Sequence, residues 1–68
     1  MTTIGEKIRA ARVAAGMTQK QLGLAVGFSE NSAERMIQKW EYGKQAPSLQ
    51  YLRPLANALK VSLDYLVP

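Results

Sequence analysis

The stretch of residues 18–43, TQKQLGLAVGFSENSAERMIQKWEYG, decides the fold of this 68-residue chain. Thr18 followed by Gln21 is a capping-box pattern, in which a hydroxyl and an amide side chain satisfy the first free groups of a helix. Apolar residues at helical spacing come next, and Gly27 and Gly43 provide left-handed stops. The stretch therefore predicts two helices, over about 19–26 and 32–42, joined by a turn that contains a glycine.

The start of the second of these helices depends on Asn31 and Glu34, which form a further capping-box pattern. They stand just before an apolar stripe that includes Ile37 and Trp40. We therefore begin this helix at Ser32 and assign residues 28–31 to the turn. An earlier start, which would lengthen the helix instead of the turn, remains the alternative.

Further helices are predicted on both sides of this stretch. Thr3 and Glu6 form a capping box for a first helix over about 4–15, and Gly16 ends it. Ser62 begins a short last helix over about 63–67. No alternating apolar and polar run predicts a strand. We expect an all-α, compact five-helix bundle that forms one domain over residues 1–68.

The fourth predicted helix, over about 49–59, follows Ser48 and contains a proline. Its apolar face is predicted to consist of Leu49, Leu52, Leu55, Ala56 and Leu59. Pro54 lies inside it, where proline costs about 3 kcal/mol. We expect a bend there, or a first turn that is loose.

Composition excludes several classes of function. The chain has neither Cys nor His, so it has no disulfide, no thiolate metal ligand and no imidazole base. We expect no catalytic residue, no metal and no cofactor. Residues 1–6 lack the pattern of an export signal, and no run of 18 apolar residues predicts a membrane span. We expect a cytoplasmic protein.

The formal charge of +4 makes an acidic partner plausible without identifying one. Lysines and arginines are spread along the chain, which is typical of a soluble surface. The positions of these charges carry more information than their number. Nucleic acid is the first partner to test.

Four groups of residues resemble the motifs of phage repressor and Cro DNA-binding domains: Thr18-Gln19-x-Gln21-Leu22, Trp40-Glu41-x-Gly43-Lys44, Pro47-Ser48, and Val61-Ser62-x-Asp64. The resemblance covers nearly the whole chain and implies a lambda-repressor-like fold, whose second motif helix enters the DNA major groove. The segment between Gly27 and Ile37 is longer than the common pattern by about one helical turn. Positions are therefore aligned by counting back from Glu41.

This alignment implies that Glu34, Arg35 and Lys39 contact bases. Arg can hydrogen-bond guanine O6 and N7 together, Lys can do so less directionally, and a carboxylate can accept from cytosine N4. The structural alternative is that Glu34 only caps its helix, while Arg35 and Lys39 form a solvated pair one turn apart.

The resemblance also implies contacts with the DNA backbone and one internal ion pair. Gln19 matches a phosphate clamp of the family, although a simple first-turn residue is an equal alternative. Arg12 and Glu41 are implied to pair between the first and third helices. Tyr51, Tyr65 and Val67 are candidates for contact with a second subunit, or for the rim of the core. The expected backbone contacts are Gln19, Ser32, Gln38, Tyr42, Lys44 and Gln45.

The implied function is sequence-specific binding of double-stranded DNA by a transcriptional regulator, acting as a repressor. By the same resemblance it would be a bacterial or phage protein that binds a near-palindromic operator as a homodimer. No small-molecule ligand is evident, since no second domain is predicted. The alternative is a protein-interaction module of the same fold, such as part of an antitoxin or an adaptor. An enzyme is not expected, because Glu30 and Glu34 are the only carboxylate pair and lack a pocket and a nucleophile.

Overall fold

The computed structural model describes residues 3–67, which form five helices and no strand. The predicted all-α, five-helix class is confirmed. The predicted domain of residues 1–68 includes Met1, Thr2 and Pro68, which lie outside the described residues. The helices are α1 (Ile4–Ala14), α2 (Gln19–Val26), α3 (Ala33–Glu41), α4 (Leu49–Leu59) and α5 (Leu63–Leu66).

Side-chain caps begin the first two helices as predicted. Thr3 and Glu6 form a reciprocal capping box at α1, and Thr18 and Gln21 form one at α2. The backbone N–H of Thr3, then its hydroxyl, holds the pKa of the Glu6 carboxyl below its ordinary value of 4.5. These caps satisfy N–H groups that have no partner within their own helix.

The start of α3 differs from the prediction. Ser32 occupies the cap position without a side-chain cap bond, and the capping box predicted for Asn31 and Glu34 does not form. The Ser29 carbonyl accepts from the backbone N–H groups of Ser32, at 3.1 Å, and Ala33, at 2.9 Å. These two backbone bonds join the start of α3 to the turn, and no side-chain cap is formed there. Residues 27–32 are all turn or irregular, so the additional length lies in the turn.

Every helix contributes at least one large side chain to the core. Trp40 of α3 packs against two half-buried aromatic rings, with centroid distances of 5.5 Å to Phe28 and 5.4 Å to Tyr51. Phe28 comes from the long turn, which is thereby attached to the core. Tyr51 was expected at a contact with a second subunit or at the rim of the core, and its half-buried ring lies at the rim of this cluster. The other fully buried large side chains are Ile8, Leu22, Ile37, Leu55 and Leu66.

Helix α4 departs from the prediction at its start. Leu49 is 85% exposed, whereas Leu52, one turn later, is buried. The first residue of α4 lies beyond the edge of the core, although helical spacing assigned it to the apolar face. The Ser48 carbonyl accepts from the Tyr51 N–H at 3.0 Å, so the first turn is closed instead of loose. The helix continues through Pro54.

Two helices come close together where one of them lacks a side chain. A Cβ atom added to Gly23 of α2 would overlap the carbonyl oxygen of Ala33, the first residue of α3. Glycine is therefore required for α2 and α3 to pack at this distance. The contact fixes the start of α3 against α2. Within residues 3–67, no helix is long and apolar enough to cross a membrane.

Candidate nucleic-acid interface

Helix α3 has one face in the core and the opposite face directed outward. Its buried residues, Ala33, Ile37, Trp40 and Glu41, recur at intervals of three or four, as one side of a helix requires. Glu34 and Arg35 are exposed, and Lys39 is half-buried. The three predicted base-contacting residues therefore belong to the side of α3 that packing leaves free.

The C-terminal half of this outward face forms a basic cleft. It has a volume of about 270 Å³ and is lined by Arg35, Gln38, Lys39, Tyr42 and Lys44. Three of these five side chains are cationic, and all five carry hydrogen-bond donors. Such a cleft suits acceptors, which include guanine O6 and N7 and phosphate oxygens.

The end of α3 brings the following loop into the same cleft. Gly43 has a φ of 76°, and the Lys39 carbonyl accepts from the N–H of Lys44 at 3.0 Å and that of Gln45 at 3.3 Å. This is the Schellman arrangement, in which a left-handed residue turns the chain back over the last helical turn. Lys44 therefore lies beside Lys39, and exposed Tyr42 lies between them in the chain.

A buried ion pair joins α1 to α3 beneath this surface. Arg12 Nε donates to Glu41 Oε2 at 2.6 Å, and Arg12 Nη2 donates to Glu41 Oε1 at 3.2 Å. The Glu41 side chain is only 1% exposed and that of Arg12 13%. Arg12 Nη1 also donates to the Met17 carbonyl at 2.9 Å. The pair named from the family resemblance is thus formed, and it ties α3 to α1.

A chain of amide hydrogen bonds continues from this ion pair to the outward face. Gln19 Nε2 donates to Glu41 Oε1 at 3.2 Å, and Gln38 Nε2 donates to Gln19 Oε1 at 3.2 Å. Gln38 Nε2 also donates to Glu34 Oε2 at 3.3 Å. Gln19 and Gln38 are both half-buried. We call Glu41, Gln19, Gln38 and Glu34 the amide chain.

The long turn lies at the opposite end of α3 from the basic cleft. Lys20 of α2 pairs with Glu30 at 3.0 Å, and its hydrogen bond and charge lower the pKa of the Glu30 carboxyl. The hydroxyl of Ser32 lies 3.1 Å from that of Ser29. Ser32 is thus separated from Lys44 by the whole length of α3, about 13 Å at 1.5 Å per residue.

The structure therefore divides the predicted site residues into three groups. Arg35, Gln38, Lys39, Tyr42 and Lys44 share the cleft, and Gln45 follows them in the loop. Glu34 and Gln19 belong to the amide chain. Ser32 lies apart, beside the turn.

Sequence reasoning missed the amide chain and the close contact at Gly23. An available signal for Gly23 was its position inside the short second helix, where glycine weakens a helix unless packing requires it. The amide chain had no such signal. Gln19 and Gln38 are 19 positions apart in the sequence, and only the packing of α2 on α3 brings them together.

Comparison with known proteins decides the family. A family model described as helix-turn-helix matches residues 8–66. The chain belongs to the helix-turn-helix family. The resemblance to phage repressor domains is also confirmed, because the chain is similar to the P22 c2 repressor protein, solved in complex with a synthetic operator in the presence of Tl⁺. That similarity has a TM-score of 0.84 and 36% identity, and it covers 97% of this chain and 94% of the repressor chain.

A second relative is much longer than this chain. The chain is 45% identical over 47 residues to the type II methyltransferase M1.ScrFI of Lactococcus lactis subsp. cremoris. The matching segment is 69% of this chain but only 12% of that methyltransferase. The similarity therefore concerns a small part of the larger protein.

Proposed function

We propose that this helix-turn-helix chain binds double-stranded DNA and regulates transcription, with α3 in the major groove. The observation that carries the proposal is the outward face of α3, where the basic cleft and the Glu34 carboxylate offer donors and acceptors on one exposed helix. An α-helix fits the width of the major groove, where every base pair presents a distinct pattern of such groups. The operator complex of the similar P22 c2 repressor supports the same use of this fold.

Base reading is assigned to Glu34, Arg35 and Lys39. Arg35 and Lys39 present donors from the cleft, which suits guanine O6 and N7. Glu34 presents only acceptors, which suits an amino group on a base. The alternative role of Glu34 as a cap is not supported, since its side chain accepts a hydrogen bond from Gln38.

Contacts with the DNA backbone are assigned to residues at both ends of α3 and at the start of α2. Lys44 supplies the positive charge at the cleft, and Gln19 is placed at the first turn of α2, where helix N–H groups favour an anion. These contacts provide affinity without sequence choice. The assigned residues are Gln19, Ser32, Gln38, Tyr42, Lys44 and Gln45.

The proposed assembly is a homodimer on a near-palindromic operator. Two copies on successive half-sites would place their α3 helices about 34 Å apart, one turn of DNA. Occupation of such an operator in a promoter would repress transcription. We propose this for the cytoplasm of a bacterium or of a phage-infected cell.

The test begins with selection of bound duplexes from a pool with a randomised central segment. The wild type should enrich a paired half-site containing guanine. Arg35→Ala should relax the base preference at one position of each half-site, by about 1–3 kcal/mol. Lys44→Ala should weaken binding to all sequences, and the slope of the logarithm of the binding constant against the logarithm of salt concentration should become shallower by about 1. Arg53→Ala removes an exposed cation from α4, away from the cleft, and is the matched control for net charge.

Two results would contradict the proposal. If the wild type retains no duplex at low salt and binds a protein partner instead, the chain is an interaction module. If Arg35→Ala leaves the selected half-site unchanged, α3 is not in the groove in this register.

A further inference from the structure

We propose that the buried Glu41 carboxylate determines which groups on the outward face of α3 donate and which accept hydrogen bonds. The part of this face around Glu34 then presents acceptors, which recognise an exocyclic amino group of a base. That group is N4 of cytosine or N6 of adenine. The inference rests on the proposed DNA binding and adds a positioning role for two glutamines and a core acid. It follows from the direction of each bond in the amide chain.

The direction is fixed at the buried end. An ionised carboxylate can only accept hydrogen bonds. Glu41, paired with Arg12, is therefore an acceptor toward Gln19, which must direct its Nε2 inward. The Oε1 of Gln19 is then left facing Gln38. Reversing the Gln19 amide would place a carbonyl against the carboxylate.

The same constraint passes to α3. Because Gln19 presents Oε1, Gln38 must turn its Nε2 toward it, at 3.2 Å. That amide group has two hydrogens, and the second is directed to Glu34 Oε2 at 3.3 Å. The Gln38 carbonyl and the remaining lone pairs of Glu34 are thus available as acceptors. Glu34 is held in one orientation through three side chains.

The outward face of α3 is consequently divided by hydrogen-bond type. The Glu34 side presents acceptors held by the amide chain, whereas Arg35, Lys39 and Lys44 present donors from the cleft. In the major groove, amino hydrogens occur only on cytosine N4 and adenine N6, and guanine and thymine present acceptors in their place. Acceptors that the amide chain already holds in place favour cytosine and adenine, because an ordered side chain loses less conformational entropy when it binds DNA.

The test uses the same selection from a randomised duplex pool, followed by binding to duplexes that differ at one position. The wild type should prefer cytosine or adenine at one position by about tenfold, equal to about 1.4 kcal/mol. Glu34→Met should remove that preference, and Gln38→Met should reduce it to about threefold, because the Glu34 carboxylate still accepts but is no longer held. Gln19→Met, which touches no base in this arrangement, should reduce it to about threefold, because Gln38 is then free to reverse its amide.

A charged substitution separates a polarity role from a packing role. In Gln38→Lys the ammonium group donates to both Gln19 and Glu34, as the amide does, so the preference at that position should be retained. Thermal unfolding of each variant verifies that it is folded.

The outcomes distinguish the inference from the function on which it rests. If the wild type enriches no sequence, the proposed function fails. If it enriches a guanine position but no amino base, or if Gln38→Met and Gln38→Lys give the same preference, the polarity inference fails while DNA binding stands. Enrichment of cytosine or of adenine identifies which amino base is read.

Discussion

Replacing one member of the Arg12 and Glu41 pair should destabilise the fold far more than replacing both. The Glu41 carboxylate is 1% exposed and accepts from Arg12 at 2.6 Å and 3.2 Å. Removing one partner of a buried pair leaves a charge without compensation and costs about 3–5 kcal/mol. The free energy of unfolding of folded proteins is about 0.05–0.15 kcal/mol per residue, so a chain of this size has only about 3–10 kcal/mol in total. Either single variant should therefore be close to unfolding.

The double variant should recover most of this loss. In Arg12→Met with Glu41→Met no buried charge remains, and apolar side chains of similar length fill the space. The carbonyl of Met17 and the amide of Gln19 lose their bonds to the pair, which costs about 1 kcal/mol. The double variant should thus be more stable than either single variant.

Urea titration followed by the fluorescence of the single tryptophan measures these differences. Trp40 is 2% exposed and reports loss of the core directly. Single variants that are already unfolded in buffer can be refolded with an osmolyte such as TMAO, and the titration repeated. The difference between the double variant and the sum of the single variants gives the coupling between the two charges.

The exposed ion pair of Lys20 and Glu30 is the matched control. Its N to O distance is 3.0 Å, but its side chains are 47% and 73% exposed. Lys20→Met should leave the urea midpoint nearly unchanged, because exposed pairs contribute little to stability. If Arg12→Met shifts the midpoint no more than Lys20→Met, burial does not determine the strength of these pairs and the reasoning is refuted.

Three further substitutions test local features of the fold. Gly23→Ala should lower the unfolding temperature by several degrees, because its Cβ would overlap the Ala33 carbonyl, and an unchanged temperature would mean that α2 and α3 can separate without cost. Lys60→Gly should stabilise the chain by about 1 kcal/mol, since Lys60 has a φ of 58° at the end of α4; Asn57→Gly, inside α4, is its destabilising control. Glu6→Gln should reduce the loss of stability as the pH falls below 4.5, because the lowered pKa of Glu6 makes its contribution present above that pH and lost below it. Acid titrations followed by circular dichroism check the last expectation, which fails if both proteins unfold at the same pH.

The class of the fold could be predicted because its signals are local. The boxes of Thr3 with Glu6 and of Thr18 with Gln21 each involve residues three positions apart, and both form as expected. Large apolar residues at helical spacing, such as Ile37 and Trp40, identified the buried face of α3. Such patterns depend on helix geometry alone.

The sequence was less informative where the start of a helix or the packing of neighbouring helices decided the structure. Asn31 has the sequence of a cap, but Ser32 occupies the cap position, and the Ser29 carbonyl accepts from the N–H groups of Ser32 and Ala33. Leu49 has the spacing of a core residue, but α4 begins outside the core. Tyr51 has two interpretations in the sequence, a subunit contact or the rim of the core, and only the packing of its ring on Trp40 and Phe28 favours the rim. The positions of Leu49 and Tyr51 depend on contacts between helices, which no single window of sequence contains.

The sequence predicted which residues of the candidate site are exposed better than it predicted their hydrogen bonds. The exposure of Glu34 and Arg35 follows from the helical period. The bonds of Gln19 to Glu41 and to Gln38 depend on how α2 crosses α3, and the sequence gives no measure of that geometry. The roles of these residues toward DNA remain predictions.

The attachment of Phe28 to the core has a consequence for how such domains can change. The position of α3 is set by Gly23 on one side, by the Arg12 pair on another and by the ring of Tyr51 on a third. The turn that precedes α3 adds a fourth contact, because the ring of Phe28 packs against Trp40. A change in the length of residues 29–32 should therefore leave the same face of α3 outward as long as these four contacts remain.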